Sequence, residues 1–270
     1  MTNELLRKLL VYISVKFEGN YTQMVQYIHE NEFPPDEVIE KADELIKCKY
    51  ITYLDKEYPV ELRKVCRPPL VLFYYGDISL LYKEKEAIAV IGSRECTETG
   101  RKITDKLVTD LAPDYRIVSG LAKGIDAVAH ESAIKAGGDT IAVLGSGIDY
   151  IYPWENRDLY KLIKKRGLVI SEYPNFTMPT QLSFPLRNRL IAALSKSILI
   201  TEAKKRSGTM ITVDWAHSMS KDIMCVPYRA EDDSGCNQLI KEGAFMVEDS
   251  DDVRVTLEGT KNLKKTLMWP

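Results

Sequence analysis

The spacing of apolar positions changes along the chain. Over the first 55 residues it is helical: Leu5, Leu6, Leu9, Leu10 and Ile13 fall on one face. A second helix is predicted over residues 21–29, with Thr22 as its N-cap. A third starts near Pro35, with proline at its first position and Val38, Ile39, Ala42, Leu45 and Ile46 turned inward. Residues 55–80 then form a connector around one apolar strand, 70–75, bounded by Arg67-Pro68-Pro69 and Gly76-Asp77. From residue 87 short apolar runs alternate with helical patterns. Strands are predicted at 87–91, 116–118, 140–144, 168–171, 197–201, 222–226 and 244–247. Helices fall between them at about 98–111, 124–136, 155–165, 185–195, 208–220 and 236–242.

Several of these strands are continuously apolar, as strands covered on both faces must be. A strand–helix alternation of this kind folds into a doubly wound, mostly parallel α/β sheet with right-handed crossovers. The expected organisation is a helical N-terminal domain (1–55), an extended Rossmann-like domain (56–250) and a C-terminal tail (251–270).

Charge sharpens this division. The chain of 270 residues has a net charge of -2, which excludes a polycation. Residues 1–60 carry net -4 and residues 87–228 net +4, so the sheet domain is the half suited to an anionic partner. No run of about 18 apolar residues is present, so no membrane span is expected. The N-terminus lacks a signal-peptide cleavage pattern. Five scattered cysteines without a CxxC pair argue against disulfides and a zinc site, and point to a reducing cytoplasm. No metal is expected.

In doubly wound sheets, ligands bind beyond the carboxyl ends of the strands. The residues there are rich in Gly, Ser and cations. After the first parallel strand stands Gly92-Ser93-Arg94, where glycine admits close backbone approach and arginine matches a phosphate. The competing reading pairs Arg94 with Glu202 and makes it a brace. The next strand leads into Ser119-Gly120-Leu121-Ala122-Lys123-Gly124, ahead of a helix whose N-terminus suits an anion. Lys123 precedes Gly124, so this is no Walker A loop. Gly145-Ser146-Gly147 has Tyr150 where a dinucleotide fingerprint needs a third glycine, so no NAD or FAD cofactor is expected. Tyr150, Tyr152 and Trp154 follow it, as base-stacking or packing groups. Phe184-Pro185-Leu186-Arg187-Asn188-Arg189 opens another helix. Its two arginines lie about 200° apart around the axis, so one is expected to grip a ligand and the other to pin the loop. Finally, Lys204-Lys205-Arg206-Ser207-Gly208 places three cations before a Ser-Gly helix entry.

Familiar catalytic sets fail. GxSxG, HExxH and the HxE/PCxxC pair are absent. His130 lies four residues after Asp126, as a helix pair.

This ordered set of loops resembles the DNA-processing protein A (DprA/Smf) family over about residues 55–250. The residues that carry the resemblance include Gly92-Ser93-Arg94, 119–126 with His130, Tyr152-Pro153, Ser171-Glu172-Tyr173-Pro174, the Phe184–Arg189 block, Glu202-Ala203 and Ser207-Gly208. The chain departs from the family pattern at Asn175, at Tyr228 and at Ala193-Leu194-Ser195. The resemblance implies an extended Rossmann domain without enzymatic activity. It implies a protein that binds single-stranded DNA entering the cell in natural transformation, shields it and helps load the RecA recombinase. Gly92, Ser93, Arg94, Ser119, Gly120, Lys123, Gly124, Gly145, Phe184, Arg187, Asn188, Arg189, Ser207 and Gly208 are its expected DNA-binding residues. It also implies a homodimer formed through the C-terminal side of the sheet domain, where Ile240 and Met246 sit.

The alternative is a nucleotide phosphoribohydrolase of the lysine-decarboxylase-like type. That family has Gly-Gly-x-Gly-Thr-x-x-Glu after a strand. Here the Gly pair is missing from Lys205-Arg206-Ser207-Gly208-Thr209, and Thr212 takes the place of the acid.

Overall fold

The computed structural model describes residues 2–267. Helix α1 (Asn3–Lys16) opens on Thr2, whose hydroxyl accepts from the Leu5 amide. Helix α2 (Tyr21–Glu30) is capped by Asn20 and not by Thr22. The Asn20 side chain sits outside the helix and accepts from Gln23 N at 3.2 Å, whereas Thr22 is already helical. Leu9, Ile13, Met24 and Ile39 form a small core with Phe17, Tyr27 and Phe33 around it. The third predicted helix is cut short. Pro35 is the residue before α3 (Asp36–Glu40), and a 3-10 turn at Ala42–Leu45 shifts the face, leaving Val38 and Leu45 exposed.

Strand β1 (Lys49–Thr52) lies inside the stretch read as helical. It pairs antiparallel with β2 (Val71–Gly76), and α4 (Val60–Arg63) lies between the two in sequence. The remaining elements alternate: β3 (Ala87–Gly92), α5 (Glu98–Leu111), β4 (Arg116–Ser119), α6 (Ile125–Lys135), β5 (Thr140–Val143), α7 (Arg157–Arg166), β6 (Leu168–Ser171), α8 (Ser183–Leu194), β7 (Ser197–Glu202), α9 (Gly208–Ser218), β8 (Asp222–Cys225), α10 (Gly235–Lys241) and β9 (Phe245–Met246). Residues beyond 250, read as a tail, begin helix α11 (Ser250–Leu267).

Within the described residues the strands form one nine-stranded sheet, ordered β1-β2-β6-β5-β4-β3-β7-β8-β9. Pairs from β6 through β9 in that order are parallel, and β2 joins β6 antiparallel. Alternate residues of β3 feed opposite layers. Ala89 and Ile91 pack with Leu190 and Ile191 of α8, Val213 of α9 and Leu239 of α10. Ile88 and Val90 pack with Leu107 of α5, Ala129 of α6 and Val253 and Leu257 of α11. The N-terminal helices are seated on the same sheet, where Val11 joins Val71, Phe73 and α7 residues. No helix among the described residues is long and apolar enough to cross a membrane.

Candidate nucleic-acid interface

Strand β3 lies between β4, which follows it in sequence, and β7, which arrives from the other direction. Their departing loops part at this switch point and leave a crevice. It is a cleft of about 540 Å³, walled by the loop after β3, the first turns of α8 and the entry to α9. Of the sequence-predicted residues, Gly92, Ser93, Arg94, Phe184, Arg187, Asn188, Ser207 and Gly208 line it together.

The loops are tied by backbone. Ser93 N donates to Glu202 O, joining the ends of β3 and β7, and Ile125 N donates to Ser93 O. Gly124, at φ +77°, lets the loop before α6 lie against the Ser93 and Arg94 carbonyls, where a Cβ would clash at 2.2 Å. Gly145 is likewise backed by the Phe184 ring. At the mouth of α9, Ser207 is the N-cap, yet its hydroxyl oxygen is buried without a hydrogen-bond partner. An anion seated there would meet the helix N-terminus, whose first amides no side chain caps.

Arg94 is exposed, with its guanidinium carbon 5.7 Å from the Phe184 ring centroid. It forms no ion pair among the described residues. The predicted brace with Glu202 is absent, because that carboxylate accepts instead from Thr97 N and the Thr97 hydroxyl, at 2.7 Å from the latter. Arg94 thus keeps its charge for whatever enters the cleft.

Arg187 borders the same cleft but is only 4% exposed. Its guanidinium donates to Gly120 O at 2.7 Å and to Val143 O, and its Nε donates to Asn188 Oδ1. It ties α8 to the ends of β4 and β5. Burial pushes its pKa down to about 10, opposed by Asp126. Burial pushes Asp126 above the usual carboxylate range, against Arg187 and the Ala122 and Gly120 amides. His130 bonds Thr140 Oγ1 at 2.6 Å, so it is not the partner of Asp126; burial, then the Arg187 charge, holds it near 3.

Other predicted residues stand apart from the cleft. Ser119 spends its hydroxyl on Val90 O. Lys123 reaches away to Glu155, forming an ion pair at 2.5 Å. Arg189 is buried and satisfies all five of its N–H donors, on Glu172, Leu186 O, Cys66 O and Arg67 O. It pins the connector to α8. Lys204, in the charge run that the sequence places at the ligand-binding end, lines the cleft, and so do Thr209 and Gln181, although none of the three is among the expected DNA-binding residues. Lys204 was visible within its charge run, whereas Gln181 carries no sequence signal.

Fold and cleft together define an extended Rossmann-like domain with a cationic crevice at its switch point. Residues 49–258 match the family described as DNA recombination-mediator protein A. The chain is 41% identical over 219 residues to the DNA processing protein DprA of Streptococcus pneumoniae, covering 80% of this chain and 77% of that one. The crystal structure of DprA from S. pneumoniae superposes with a TM-score of 0.77 at 34% identity, over 94% of this chain and 98% of the other. DNA processing protein A of Helicobacter pylori, described as having a single-stranded DNA binding mode, gives 0.72 at 32% identity over 79% and 97%. The chain belongs to the DNA recombination-mediator protein A family.

Proposed function

We propose that this protein binds single-stranded DNA in the switch-point cleft, protects strands taken up in natural transformation and helps load RecA onto them in the cytoplasm. The observation that carries the reading is Arg94. It is exposed at the rim of a cleft that also holds Lys204 and an uncapped helix N-terminus, and it forms no ion pair among the described residues. Such a constellation suits a phosphodiester backbone, and Phe184 beside it suits a base. Its relative from H. pylori, with its single-stranded DNA binding mode, supports the same reading.

We read the protein as a binder and not as a phosphoribohydrolase. Thr212 lines the cleft where that chemistry needs a carboxylate, and Asp126 is buried against amides and Arg187. Incubation with nucleoside monophosphates should release no free base.

Assembly as a homodimer fits the sheet edge at β9, where Met246 is 55% exposed and Phe245 is exposed beside it. Ile240 lies half-buried against the core one helix away.

The test is a gel-shift titration on single- against double-stranded DNA at several salt concentrations. Tighter binding of the single strand, weakening steadily with salt, is expected. Equal or tighter duplex binding overturns the reading.

A further inference from the structure

We propose that Trp154 is a stacking platform for a nucleobase of the strand, one step outside the cleft; the inference rests on the single-strand reading above. Trp154 opens a short 3-10 turn, Trp154–Asn156, between Tyr152-Pro153 and α7. It is 64% exposed, an uncommon position for the largest side chain.

Its neighbours, and not the indole, hold the turn. Asn156 Nδ2 donates to Leu121 O at 3.0 Å and Ala122 O at 3.1 Å, and Glu155 pairs with Lys123. The turn is therefore fixed against the loop after β4 while the ring projects from it largely uncovered. The Arg157 guanidinium carbon stands 5.6 Å from the indole centroid.

Tyr152, two residues before Trp154, links the platform to the cleft. Tyr152, also exposed, has its ring 5.4 Å from that of Phe184, and Phe184 lies 5.7 Å from the Arg94 guanidinium carbon. Two cations, Arg94 and Arg157, thus lie against two rings, Phe184 and Trp154, and Tyr152 stands between them, beside Phe184 in space and two residues before Trp154 in sequence. A single strand presents phosphates beside flat bases, the two groups that cations set against rings can receive. A protein partner would need an apolar surround, whereas Trp154 is flanked by the charged Glu155, Arg157 and Asp158.

The experiment uses the full chain and oligothymidylate, read by fluorescence anisotropy of a labelled strand. Trp154→Ala should weaken binding about tenfold, and Trp154→Phe, which keeps a ring, should stay within about twofold of the unaltered protein. In a Trp215→Phe/Trp269→Phe background, the remaining indole emission should quench on saturation with the strand. Unchanged affinity in Trp154→Ala, flat emission from Trp154, or equal losses in both variants accompanied by lower melting temperatures overturn the platform and leave the cleft reading standing. Failure of the unaltered protein to bind oligothymidylate overturns both.

Discussion

The Nη2 atom of Arg187 lies 2.6 Å from the point that a Cβ on Gly120 would occupy, with Cζ at 2.7 Å. The guanidinium cannot withdraw without giving up its bonds to Gly120 O and Val143 O. Gly120 is thus a seat for Arg187. Gly120→Ala should cost about 1–3 kcal/mol, as overpacking of a filled site does, and should lower the melting temperature. Combined with Arg187→Ala, the losses should be less than additive, because the second change removes the clash that the first creates. Strict additivity in thermal unfolding would show that the two do not communicate.

Arg94 behaves oppositely because its charge supports no fold contact beyond the Phe184 ring. Arg94→Ala should leave the melting temperature close to that of the unaltered protein and cost about 1–3 kcal/mol of single-strand affinity. The slope of log K against log salt should shrink by about 0.7, the value for one single-strand phosphate. A variant that melts early and binds normally when folded would place Arg94 in the scaffold.

Lys123 is held by Glu155 on an exposed rim. Glu155→Gln releases the lysine, so affinity for single strands should rise and the salt slope should steepen by up to about 0.7. Unaltered binding in both respects would show that Lys123 does not reach the strand.

Acid stability should carry the mark of His130. Its folded pKa is near 3 and its ordinary value 6.5, so it stays neutral in the fold while the unfolded chain takes up a proton. Stability is therefore full above about 6.5 and declines as pH falls, by up to about 1.4 kcal/mol per pH unit from this group. Asp126, raised by burial, acts with the opposite sign, because the folded state gains its proton first as pH falls. Chemical denaturation across this range should show a shallower decline in His130→Gln than in the unaltered chain.

The β9 edge is read out by mass. Ile240→Glu and Met246→Glu should each convert a dimer into a monomer by mass in solution, with the larger effect at Met246, which faces solvent. A monomeric unaltered protein at micromolar concentration would dispose of this assembly.

Much of the sheet was legible because its strands are buried on both faces and read as apolar runs. β3, β4, β6, β7 and β8 fall within about a residue of the expected bounds. β1 was not legible. Lys49-Tyr50-Ile51-Thr52 is short and follows helical spacing, and it becomes a strand through its partner β2. The site was legible as a set of loops, since strand ends can be counted, but the use of each side chain was not. Arg187 and Arg189 look alike in a sequence. Arg187 meets carbonyls 67 and 44 residues away, at Gly120 and Val143, whereas Arg189 meets carbonyls 123 and 122 residues away, at Cys66 and Arg67, and the Glu172 carboxylate 17 residues before it. Lys123 looked free because Glu155 lies 32 residues downstream.

The two buried arginines of α8 have a consequence for how the molecule comes apart. One is anchored in the cleft loops and the other in the connector ahead of β2. Neither anchor can loosen without stranding a buried charge, a cost of about 3–5 kcal/mol when one partner is lost. Connector and cleft should therefore open together, as one cooperative unit, and not as two frayed loops. Hydrogen exchange would register this as a shared opening energy for amides in α8 and for those around residues 66–67 and 120. Arg189→Ala would lower the protection of both regions at once, although the second lies beyond its reach.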